Sequence, residues 1–169
     1  HIICLNGVQQ SMAMWHTFVL RYAPYYRVVL FDFPNQGKGK VVSGPIFVTL
    51  DEQVYILCEV IKATGINKDV SMCSASWGGI IAMAFASRYQ NKVKQLCLAS
   101  LGTKANDAMV ETIKKGFQID PQNRQKMADI LIESFGKNLP ENIKNKIVNQ
   151  FNTMNQENLR AFYEHGLFV

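Results

Sequence analysis

The chain has 169 residues, 18 Lys and Arg against 13 Asp and Glu, and a net charge of +5. That length carries one domain with a real core and is too short for two. Hydrophobic residues make up 48% and charged residues 18%, which excludes a disordered chain, and no apolar run is long enough to span a membrane.

Four short apolar runs read as strands of a parallel sheet covered on both faces: Ile2–Leu5, Val28–Asp32, Val70–Cys73 and Val93–Ala99. Helical patterns lie between them. Trp15, Phe18, Val19 and Tyr22 recur at helical spacing, as do Val54, Leu57, Cys58 and Ile61. Thr49 with Glu52 makes a capping box at the start of the second helix, and Gly65 marks its end. A third helix, from Trp77 to Arg88, is rich in small residues that suit close packing on a sheet. Strands alternating with helices predict an α/β fold with right-handed crossovers.

After Ser100 the pattern is helical only. One helix covers Met109–Lys115 and ends at Gly116. Asp120-Pro121 starts another that closes at Gly136. Pro140 opens a third with Ile143, Ile147 and Phe151 on one face, and a last one is expected near Gln156–His165, stopping at Gly166. The division expected is an incomplete α/β core over 1–104 and an all-helical region over 105–169.

Cys4, Cys58, Cys73 and Cys97 fit no zinc spacing. They read as small core residues of a protein in the reducing cytoplasm, with no cofactor or metal implied. Lys137, Lys144 and Lys146 cluster late, which suits an acidic partner and equally a solvated helix face. No basic motif interleaved with aromatics points to nucleic acid. There is no signal-peptide pattern. His1 opens directly into an apolar strand, which reads as a trimmed start or a tag residue.

One stretch carries chemistry. Val70-Ser71-Met72-Cys73-Ser74-Ala75-Ser76-Trp77-Gly78-Gly79 joins a strand to a helix. Ser76 sits in the turn, flanked two residues away by Ser74 and Gly78, in the small-x-Ser-x-Gly pattern of a nucleophile elbow. Such a turn projects the hydroxyl beyond the strand and aims the Trp77 N–H at a developing oxyanion. Asn6-Gly7-Val8 follows the first strand, where the Val8 N–H is the candidate second oxyanion donor. Asp32 opens an Asp-x-x-x-x-Gly loop through Gly37 and reads as a loop stabiliser, not a catalytic acid.

These residues resemble the α/β-hydrolase family. Asn6-Gly7, Val29-Leu30-Phe31-Asp32-Phe33-Pro34 and Ser74-Ala75-Ser76-Trp77-Gly78-Gly79 look most like the 3-hydroxyacyl transferases of rhamnolipid and polyhydroxyalkanoate precursor synthesis. The resemblance runs from about Ile2 to just past Asp107 and then fades into a region corresponding to that family's lid. It implies that a 3-hydroxyacyl thioester, on acyl carrier protein or coenzyme A, acylates Ser76, and that the acyl group passes on to another hydroxyl. The lid helices would supply the acyl pocket.

A serine needs a histidine held by a carboxylate, and in this fold the order is Ser, acid, His. The family places the last two after its lid, and this chain ends at Val169 in or just past that region. His1, His16 and His165 are not assigned as the base, and Asp107 reads as a first-turn residue of a helix. The expectation is therefore an acyltransferase or esterase with an incomplete triad. The alternatives are a non-catalytic hydrolase-like protein that binds an acyl ligand or a partner, and a truncated product without function. The Val93–Ala99 edge, left bare, is expected to pair with a second copy, to be covered by a lid segment, or to leave the chain a poorly behaved fragment.

Overall fold

In the computed structural model the described residues are 1–8, 10–44, 48–102, 104, 106–120 and 123–153. They divide into two compact units, His1–Leu101 and Gly102–Val169. Each has a hydrophobic core of its own.

In the first unit, strands β1 (Ile2–Leu5), β2 (Val28–Leu30), β3 (Val70–Ala75) and β4 (Val93–Ala99) form one parallel sheet in the order β2-β1-β3-β4. β1 is fully buried, because each of its residues is apolar and strands pair on both sides. β2 is two residues shorter than its apolar run, since Phe31 and Asp32 leave the ladder and Asp32 turns its carboxylate to other work. β3 runs two residues further than expected, into Ser74 and Ala75, and alternates between buried and half-buried positions. β4 is half-buried to exposed throughout, against the expectation of a strand covered on both faces.

A 3-10 turn at Met12–Trp15 leads into helix α1 (His16–Tyr22). Its expected apolar stripe is not buried: Trp15, Phe18 and Val19 are half-exposed and Tyr22 is exposed. Trp15, Phe18, Tyr22 and Tyr26 stack on one another instead. Helix α2 (Leu50–Ala63) carries both hydrogen bonds of the expected Thr49–Glu52 capping box. Val54, Leu57 and Ile61 are buried from it, and Gly65 follows at φ +72°. Helix α3 (Trp77–Arg88) lies against the sheet through Trp77, Ile81, Ala82 and Phe85.

The second unit holds α4 (Asp107–Phe117), α5 (Arg124–Phe135) and α6 (Glu141–Thr153) around Ile113, Ile119, Met127, Ala128 and Phe151. α4 runs through Gly116 rather than stopping there, and Gln118 is its C-cap. The cap of α5 is Asn123, whose side chain accepts the Lys126 N–H, in place of the expected Asp120. Gly136 closes α5 as expected. Pro121, the helix expected at Gln156–His165, and His165 itself lie outside the described residues. No helix among the described residues is long and apolar enough to cross a membrane.

Candidate active site

Ser76 stands between β3 and α3, at the carboxyl end of a central strand. Its backbone has φ +48° and ψ −119°, a region that an L-residue enters only under strain. Two backbone bonds hold it there. The Ser76 N–H donates to Ala99 O at 2.9 Å, and Ser76 O accepts the Gly79 N–H at 2.8 Å. The first ties the turn to the end of β4, and the second closes the first turn of α3. The Ser76 side chain makes no capping bond to α3.

The flanking small residues have specific reasons to be small. Ser74 is buried, and its hydroxyl donates to Cys97 O at 3.3 Å. A Cβ on Gly78 would stand 2.5 Å from Leu5 O and 2.6 Å from Asn6 O. Backbone is too stiff to yield there, so only glycine lets α3 start against the end of β1. That contact sets the Asn6-Gly7-Val8 turn beside the Ser76-Trp77-Gly78 turn. Val8 is half-buried and packs on the first core. Trp77, buried at the first position of α3, donates its indole N–H to Gln53 Oε1 at 2.8 Å, and Gln53 donates in turn to Val48 O at 2.9 Å.

Below this junction lies a polar hub. Asn6 is 1% exposed. Its amide nitrogen donates to Asp32 Oδ1 at 3.0 Å and to Phe31 O at 3.4 Å, and its oxygen accepts the Trp15 indole N–H at 2.9 Å. Asp32 also accepts the Met12 N–H at 2.6 Å and the Lys38 N–H at 3.0 Å. One carboxylate thus joins three backbone segments, which is the stabilising role expected of it. Within its loop, Asn35 takes φ +69° and Gly37 φ +51°.

Sequence reading missed Asn6 as a hub and Gln53 as the partner of Trp77. Gln53 was detectable: it falls four and eight residues before Leu57 and Ile61, so it lies on the buried face of α2, where a polar group needs a partner. His1 and His16 are exposed, and no hydrogen bond joins either to Ser76 among the described residues. Asp107 is the exposed first residue of α4, behind its Asn106 cap. Among the described residues no group of His, Cys, Asp and Glu could hold a metal ion. Cys97 is exposed rather than buried.

A family model described as alpha/beta hydrolase fold matches residues 1–156. The (R)-3-hydroxydecanoyl-ACP:CoA transacylase of Ectopseudomonas oleovorans is 27% identical over 145 residues, covering 85% of this chain and 48% of its own. The protein of the same name from Pseudomonas putida is 28% identical over 148 residues, covering 85% and 48%. The chain thus spans about half the length of these curated relatives. Among solved structures, a hydrolase from Oleispira antarctica superposes with a TM-score of 0.81 at 16% identity, over 99% of this chain and 65% of that one.

Proposed function

We propose, starting from the fact that the chain belongs to the α/β-hydrolase fold family, that Ser76 is the nucleophile of an acyl transfer from a 3-hydroxyacyl thioester. The observation that carries this reading is the strained backbone of Ser76, at φ +48° in a strand-to-helix turn whose neighbours are too crowded for larger residues. Strain of that kind persists where it serves to present a side chain. The substrate class comes from the relatives, whose names specify a hydroxydecanoyl group moved between acyl carrier protein and coenzyme A.

In the reaction assigned, Ser76 Oγ attacks the thioester carbonyl as a base removes its proton. The C–S bond breaks, the carrier's thiol leaves, and an acyl-serine remains. A second hydroxyl or thiol then takes the acyl group. The N–H groups of Trp77 and Val8 are assigned as the oxyanion donors, on turns that Gly78 brings side by side. Neither the acid nor the base is assigned to a residue of this chain. Self-association through the outer edge of β4 is part of the same proposal.

The test is covalent labelling with a fluorophosphonate, followed by turnover of a 3-hydroxydecanoyl thioester, each against Ser76→Ala. Labelling of Ser76 with thioester loss that disappears in the variant is the expected result for the whole reading. Acyl ligand bound without labelling or turnover would overturn it in favour of a non-catalytic acyl-binding protein.

A further inference from the structure

Three of the four cysteines stand side by side. In the sheet register Cys4 of β1 is paired with Cys73 of β3, and Cys73 with Cys97 of β4. Residues paired in this way on adjacent strands project from the same face, so the three thiols form one row across three strands. The row runs from the interior outward: Cys4 is buried, Cys73 half-buried and Cys97 exposed. Paired Cα atoms on neighbouring strands lie about 4.8 Å apart, inside the roughly 4.4–6.8 Å that a disulfide spans.

We propose that Cys73 and Cys97 are a peroxide-sensitive thiol pair that closes to a reversible disulfide, with Cys97 the thiol that meets the oxidant. The exposed Cys97 sulfur attacks hydrogen peroxide. An S–O bond forms, the O–O bond breaks, and one water leaves a sulfenic acid behind. The Cys73 sulfur then attacks the Cys97 sulfur. The S–S bond forms, the S–O bond breaks, and the hydroxyl departs as a second water with the Cys73 proton. Two thiols are oxidised and one peroxide is reduced to two waters.

The order of events follows from the environments. Burial first, and then the neighbouring Cys97, pushes the Cys73 thiol up to about 11. Burial and Cys73 push Cys4 up to about 12. Both are protonated at neutral pH and are poor first nucleophiles. Cys4 stays out of the reaction because it has no access to oxidant. The crosslink would tie β3 to β4 just below the Ser76 N–H···Ala99 O bond and beside the Ser74 hydroxyl bond to Cys97 O. The proposal stands whether or not Ser76 is a nucleophile.

The experiment is treatment of the full chain with hydrogen peroxide, thiol blocking, and tryptic mapping without reduction. The expected product joins the peptides 69–88 and 95–104 with the loss of two hydrogens. Dithiothreitol should separate them, and Cys97→Ser should abolish the product. Three results would each overturn the proposal. One is Cys97 gaining two or three oxygens with no crosslink. Another is Cys73 joined to Cys4 instead. The third is all four thiols still free after peroxide has been consumed in the presence of a control thiol.

Discussion

Ser76 holds a conformation that glycine takes freely and serine takes at a cost of about 1–3 kcal/mol. Two hydrogen bonds and the Gly78 contact impose it, so the strain belongs to the site and not to the side chain. Ser76→Gly and Ser76→Ala should therefore part company in stability while agreeing in chemistry. Both lose labelling, but Ser76→Gly should be more stable than Ser76→Ala by about 1 kcal/mol in urea unfolding, since only glycine relieves the positive φ. Equal stabilities would mean that the turn relaxes around alanine and stores no strain. At this scale the candidate site was legible where its residues are contiguous. Ser74, Ser76, Trp77 and Gly78 could be singled out because a turn between a strand and a helix restricts residue size locally. The hub could not. Asn6 meets Asp32 across 26 positions and Trp77 meets Gln53 across 24, and no local pattern carries such pairings.

The capping box at the start of α2 shows what an element encodes in a few residues. Thr49 and Glu52 exchange hydrogen bonds, with the Thr49 N–H on Glu52 Oε2 at 2.7 Å and the Glu52 N–H on Thr49 Oγ1 at 3.2 Å. The Thr49 N–H, and after it the Thr49 hydroxyl, holds the Glu52 carboxyl below its ordinary range. In the unfolded chain the carboxyl titrates normally. The unfolded state therefore binds a proton at a higher pH than the folded state does. The stabilisation is present above the ordinary carboxylate range and is lost as pH falls through the lowered folded value. Glu52→Gln removes the titration and keeps an acceptor. The gap in urea midpoint between wild type and Glu52→Gln should shrink between about pH 7 and about pH 3. A constant gap would show that the carboxylate charge does nothing for the cap. Elements with such local signals were the ones read well: α2 by its cap, α3 by its small residues, α5 by Gly136 at its end. Gly116 misled because a glycine ends a helix only where the backbone turns left-handed. Here it is a buried position inside the helix. α1 misled in another way. Its aromatics have helical spacing, yet they stack along their own helix and stay half-exposed or exposed.

At the scale of the whole molecule, the sheet of the first unit ends in the short strand β2 on one side and in the longer β4 on the other. β1 and β3 are paired on both sides, whereas β4 is paired on its β3 side only among the described residues. β4 is seven residues long, and Leu98 is 39% exposed on it. An open strand edge of that length is a template for another strand, and a two-fold axis is the commonest way to satisfy it. Two copies of β4 related by such an axis run antiparallel. If the axis passes near Leu96, Lys94 of each copy faces Leu98 of the other and the two lysines are kept apart. The sequence therefore permits this pairing without burying like charges against each other. Sedimentation velocity should show the weight-average mass rising towards that of a dimer as concentration increases. Leu98→Lys would set a second ammonium group opposite Lys94 of the other copy, and directly opposed like charges destabilise a strand pair. That variant should remain monomeric at concentrations where wild type associates, with its melting temperature little changed because Leu98 is already exposed. A wild-type chain that stays monomeric throughout would remove the edge as an association surface. A Leu98→Lys variant that associates as wild type does would place the contact elsewhere.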